Sequence, residues 1–114
     1  MEDRIARVGE NEAVFREVNE RIERITASME VTTDRMTILC ECGIVSCTEP
    51  IEVAIVDYER VRADPALFFV RPGHDLTDVE DVVEEQQEFH VVRKKPGEPS
   101  ELARRLDPRT SYDE

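Results

Sequence analysis

Two periods of apolar residues run along the chain, first a helical one and then an alternating one. Phe15, Val18, Ile22, Ile25 and Met29 recur at spacings of three, four, three and four, with Glu, Arg and Asn between them. That is the period of an amphipathic helix. Gly9 followed by Asn11 supplies its start, with Asn11 as N-cap. Residues 1–10 are then a flexible or frayed N-terminus, although Ile5 and Val8 continue the spacing. The stripe also has the spacing of a coiled-coil seam, but fewer than three heptads is too short to be diagnostic. The simpler expectation is that this face covers a sheet.

Alternation follows. Met36, Ile38 and Cys40 alternate with Thr37, Leu39 and Glu41, and Ile51, Val53 and Ile55 alternate with Glu52 and Ala54, as in two half-buried strands. Asp57 to Asp64 reads as a short helix capped by Asp57 and stopped by Pro65. Leu67 to Arg71 is a further strand, ended by Pro72-Gly73 ahead of His74. Val79 to Glu85 and Phe89 to Lys95 form a hairpin around Gln86-Gln87-Glu88, and Pro99 to Leu106 is a terminal helix with Pro99 near its first position. The prediction is an α+β domain over residues 11–107: an N-terminal helix on a small, mostly antiparallel sheet, a metal-stapled loop and a short C-terminal helix. Residues 108–114 read as a polar tail. There is no internal repeat.

Composition narrows the function classes. The 114 residues include no Trp and six aromatics, so the core rests on Val, Ile and Leu, and a core this small benefits from a staple. Acids outnumber bases 27 to 15, for a net charge of -12, which argues against nucleic acid as a partner. An acidic surface suits solubility or a basic protein partner. Residues 75–88 hold seven acids and no base, and 93–109 hold six bases and three acids. In the hairpin reading these acids face Arg93, Lys94 and Lys95 across the strands, an alternative to the basic stretch being a nucleic-acid patch. The charged Met1-Glu2-Asp3-Arg4 start and the absence of a long apolar run give no expectation of a secretory signal or a membrane partner. Three cysteines, an odd number, are no disulfide framework, and a cytoplasmic location follows.

The chemistry concentrates in Cys40-Glu41-Cys42-Gly43-Ile44-Val45-Ser46-Cys47, at the tip of the strand–loop–strand unit. Three thiolates suit zinc, and a histidine completes the usual four-coordinate set. Cys-x-Cys is not the common knuckle, but Gly43 lets the chain turn between ligands. Of the two histidines, His74 in its Pro-Gly-His loop is the better fourth ligand, because His90 lies inside a strand. The predicted metal set is Cys40, Cys42, Cys47 and His74. Such a site has no open position and acts as a structural zinc ion, not a Lewis acid. Glu41 is the only nearby candidate base. Three reduced thiols without metal, or an iron–sulfur cluster, are the competing readings. No Walker loop, GxGxxG, nucleophile elbow or HExxH occurs, so no catalytic residue is assigned and an enzyme is not the expectation.

NEAVFREVNERIERI, CECGIVSC, YERVRADPALFFVRPGH and LDPR together resemble a group of small uncharacterised actinobacterial proteins, over most of residues 10 to 109. The resemblance implies the same Cys-x-Cys-x4-Cys and Pro-Gly-His pattern, here Cys40, Cys42, Cys47 and His74, and an architecture but no reaction. Members of the group often carry a His after the last strand, where this chain has Lys94-Lys95. The expected function is a non-enzymatic, zinc-stapled interaction or regulatory module that binds a protein partner or a second copy of itself. The alternative is a thiol-based redox or metal-responsive protein whose zinc thiolates react. On that point the acidic neighbourhood of Glu41, Glu49 and the 75–88 stretch is expected to raise, not lower, any free thiol pKa.

Overall fold

Strand alternation sorts the β residues into two antiparallel sheets, not one. The computed structural model describes residues 2–28, 34–44, 46–47 and 49–109. In it β1 (Arg35–Leu39) pairs with β2 (Pro50–Ala54), with Met36 opposite Val53 and Ile38 opposite Ile51. These four side chains point inward and are buried, while Thr37 and Glu52 face water. β3 (Leu67–Val70), β4 (Glu80–Glu85) and β5 (His90–Lys94) form the second sheet in the order β3-β5-β4. The central β5 sets Val92 against Phe68 and Val91 against Phe69. Tyr58 stacks on Phe69 at 5.7 Å, and Phe89 meets the same ring edge-on at 5.2 Å. Burying such a ring contributes about 2 kcal/mol, so this cluster is the centre of the core.

The hairpin pairs charge largely as its sequence implied. Lys94 lies 2.7 Å from Glu80 and Lys95 3.1 Å from Asp81, whereas Arg93 turns to Asp64 at 2.9 Å. α2 (Ile55–Arg62) begins directly after β2, so Asp57 lies in its first turn and is not its N-cap. An acid there still favours the helix dipole. α3 (Glu98–Arg105) carries Pro99 in its first turn and buries Ser100, Leu102 and Ala103.

The largest departure concerns α1. The helix runs from Glu2 to Ser28, so residues 2–10 continue it and Asn11 is no N-cap. Gly9, read as a break, is the place where Leu102 of α3 comes closest, and any Cβ there would collide with that side chain. The face turned inward is also not the apolar stripe. Glu12, Arg16, Asn19 and Glu20 are buried, while Phe15 and Val18 are half-buried and Ile25 is 58% exposed. Of the predicted stripe Ile22 packs against the core, and Met29 lies outside the described residues.

The polar face holds because each of these side chains finds a partner distant in sequence, although Glu12 Oε1 and Arg16 Nε are buried without a hydrogen bond among the described residues. Arg16 donates to the Pro65 and Ala103 carbonyls, both at 2.7 Å, with its guanidinium 4.4 Å from the centre of the Phe68 ring. Lys94 Nζ donates to Glu12 at 2.6 Å and to Glu80 at 2.7 Å. Tyr58 donates to Glu20 at 2.6 Å, and Arg109 holds both Glu20 and Glu59. Buried charge is tolerated only when paired and hydrogen-bonded, and these networks supply that. The start of the predicted tail is therefore anchored through Arg109, and residues 110–114 lie outside the described residues. No helix among the described residues is long and apolar enough to cross a membrane.

Candidate metal centre

Cys40 leaves β1 with its N–H still donating to the Glu49 carbonyl at 2.9 Å. The chain then turns at Gly43, whose φ of 79° lies in the left-handed region that favours glycine. A Cβ on Gly43 would sit 2.9 Å from Glu12 Cγ and 3.0 Å from the Val8 carbonyl oxygen, so α1 also demands glycine here. Asn11 Nδ2 donates to the Gly43 carbonyl at 3.1 Å and pins the turn. Cys47 N donates back to the Ile44 carbonyl at 2.8 Å, which swings the third thiol inward. From the other sheet, the chain after β3 makes a second turn in which His74 N donates to the Arg71 carbonyl at 2.9 Å.

These turns bring one ligand atom each from Cys40, Cys42, Cys47 and His74 within 4.8 Å of one another. His74 presents Nδ1, at 3.5 Å from Cys40 Sγ and 3.6 Å from Cys47 Sγ. All four predicted ligands thus meet in one cluster that could hold a metal ion. His90 does not join it, since it lies in β5 opposite Val70 and Glu85.

Backbone N–H groups already serve the sulfurs. Arg71 N donates to Cys40 Sγ at 3.2 Å, and Ile44 and Glu49 supply backbone hydrogen bonds to Cys42 and Cys47. The thiols do not share one acidity, contrary to the expectation that acidic neighbours raise them all. The Cys40 thiol hydrogen-bonded to Cys42 holds Cys42 down to about 5 and pushes Cys40 up, with burial adding to the rise. Burial also raises Cys47. No acid is among the principal causes of these shifts.

Glu41, between two of the cysteines, is not placed to act as a base. It is fully buried, with one carboxylate oxygen accepting from Asn19 Nδ2 at 2.7 Å and the other from Phe69 N at 2.9 Å. Its own N–H donates to the Phe69 carbonyl at 2.8 Å. Asn19 also grips Leu39 in both directions, accepting from its N–H at 2.8 Å and donating to its carbonyl at 2.9 Å. Glu41 and Asn19 thereby fix the Cys-x-Cys segment against both β3 and α1. Burial raises the Glu41 carboxyl, opposed by Asn19, the Phe69 N–H, Arg62 and Arg16. The one sequence clue to this is an acid set directly between two cysteines.

The site is less enclosed than a closed set of ligands suggests. Cys40 and Cys42 are buried, but Cys47 and His74 are half-buried and border a shallow recess shared with Ile44 and Leu76. No protein-family model matches the chain, and neither a curated protein nor a solved structure is significantly similar to it.

Proposed function

We propose that the chain is a small acidic module held together by one structural zinc ion on Cys40, Cys42, Cys47 and His74 Nδ1, and that it works by binding a protein rather than by catalysis. The observation that carries the metal is the spacing of unlike ligands. With Zn–S about 2.3 Å and Zn–N about 2.0 Å, a tetrahedral ion sets sulfur and nitrogen about 3.5 Å apart. His74 Nδ1 lies 3.5 and 3.6 Å from its two sulfurs. A multi-iron cluster would hold its ligands farther apart than this compact group, whose atoms all lie within 4.8 Å, which favours one ion. Thiolate and imidazole together favour zinc over harder cations. Four protein ligands leave the ion no position for substrate, so its contribution is folding energy.

The ion would tie the end of β1 to the turn after β3, adding to the Glu41–Phe69 hydrogen bonds and the shared core that already join the two sheets. That supports a staple in a domain with a small core. The surplus of acids supports a protein partner or a second copy over nucleic acid or membrane, and reduced thiols fit the cytoplasm. The test is elemental analysis of protein purified without added metal, with thermal unfolding in chelator. The expected result is one zinc per chain and a large loss of stability on its removal. Metal-free protein with unchanged unfolding in chelator would refute the reading.

One observation favours thiol reactivity as a second reading: half-buried Cys47 borders the recess, so an oxidant can reach a ligand. A structural site should keep its zinc for hours in stoichiometric peroxide, whereas a redox switch should release it within minutes and recover it with reductant and zinc.

A further inference from the structure

α1 has two faces, and the core takes the polar one. Glu12, Arg16 and Asn19 are fully buried, whereas Val14 is 59% and Ile25 58% exposed. At about 100° of rotation per residue, Val14, Val18, Arg21 and Ile25 form one row on the side opposite Arg16 and Asn19. Glu17 flanks that row, 3.0 Å from Arg21, and the two side chains are 52% and 66% exposed.

We propose that this row is the surface on which two copies of the chain pair, α1 against α1, antiparallel about a two-fold axis. The row has spacings of four, three and four, and is therefore symmetric about a point between Asn19 and Glu20. A two-fold interface requires that a residue meet its counterpart reciprocally, and this pattern provides it. Val14 lies on the partner subunit's Ile25, and Ile25 on the partner subunit's Val14. Val18 lies on the aliphatic stem of the partner subunit's Arg21, while Glu17 reaches the same guanidinium from the flank. Two symmetric acid–base contacts then bracket the apolar ones.

Charge selects a second copy as the occupant. A chain of net charge -12 repels its own kind over most of its surface. Along this row the exposed charges are Glu17 and Arg21, one of each sign, so the row is locally neutral and its pair is self-complementary. The row spans about 17 Å of helix, short of a permanent interface. The association is therefore reversible, with a dissociation constant on the order of 10 µM. The inference rests on the protein-binding reading above and names its partner, but it does not depend on which metal is bound.

The test is sedimentation velocity of the full, metal-loaded chain from about 1 to 500 µM, a range bracketing the expected affinity, with metal content and circular dichroism read on the same samples. The parent should pass from monomer to dimer. Glu17→Arg and Arg21→Glu should each weaken the dimer at least about tenfold, and the two together should restore it, since the pairs are then reversed. Val18→Asp should leave a monomer with unchanged helicity. A monomer throughout the range with one zinc per chain would overturn the pairing and leave the zinc module standing. So would a monomer that binds a foreign protein through this row. A dimer indifferent to the charge reversals would overturn the antiparallel geometry. A metal-free chain that still dimerises as described would uphold the pairing and refute the staple.

Discussion

Glu41 and Phe69 are joined in both directions: the Phe69 N–H donates to the Glu41 carboxylate at 2.9 Å, and the Glu41 N–H donates to the Phe69 carbonyl at 2.8 Å. The residue between the two clustered cysteines is thus fixed to the strand that leads to the histidine. Groups that orient metal ligands typically account for 10- to 100-fold in affinity. Glu41→Ala should lower zinc affinity by about that factor while every ligand remains present. Competition with a chromogenic chelator measures it. Unchanged affinity would show that the cysteine loop is ordered without the carboxylate.

The two histidines should separate cleanly. His74→Ala removes Nδ1 from 3.5 Å of Cys40 Sγ and should abolish stoichiometric zinc retention. His90→Ala changes a residue of β5 outside the cluster and should keep one zinc per chain. Elemental analysis of both variants decides between them, and the reverse order would move the site to β5.

The buried group Glu12–Lys94–Glu80 has two carboxyls for one ammonium. Burial pushes Glu12 up to about 8, with Lys94 opposing, from 4.5 when exposed. Between those values the folded chain keeps a proton that the unfolded chain has lost. Its contribution is complete below pH 4.5 and is lost as pH rises toward 8. Glu12→Gln leaves Lys94 balanced by Glu80 alone and removes that slope. Denaturant titrations at about pH 5 and pH 8 should show the variant gaining on the parent by roughly 3 kcal/mol. A difference that does not change with pH would mean that Glu12 is ionised throughout.

Arg109 gives a dependence of opposite sign. Burial raises Glu20, but hydrogen bonds from Arg109 and Tyr58 outweigh it, and Arg109 also lowers Glu59. Lowered carboxyls stabilise the fold above their unfolded pKa and lose that contribution as pH falls. Arg109→Ala should cost about 1 kcal/mol at neutral pH, a figure reduced for solvent screening because the guanidinium side chain is 32% exposed. It should cost progressively less in acid, as pH falls through the lowered range of these carboxyls and the ion pairs are lost from the parent as well. Melting temperatures across the acid range test this, and an equal loss at both ends would refute the ionic account.

How far each feature was legible depends on the range of the interactions behind it. The strands followed from alternation, because Met36, Ile38, Ile51 and Val53 bury one face of a ribbon whatever lies beyond it. The four residues of the cluster were also legible, since soft donors gathered in one loop with one loop histidine leave few other combinations. Even so, only the fold brought His74 across from the second sheet to its cysteines, 27 and 34 positions away.

What the sequence by itself determined was the chemistry available and the local period of each segment. The tertiary structure alone decided which side of α1 faces inward. Periodicity weighs each residue singly, and on that basis Phe15, Val18 and Ile25 belong inside while Glu12, Arg16 and Asn19 belong in water. Their real cost depends on partners, and Lys94, Ala103 and Leu39 become neighbours only once the sheets and α3 are assembled. A paired buried charge loses little relative to water, whereas an unpaired one loses several kcal/mol. Those partners are what allow the polar side of α1 to face inward.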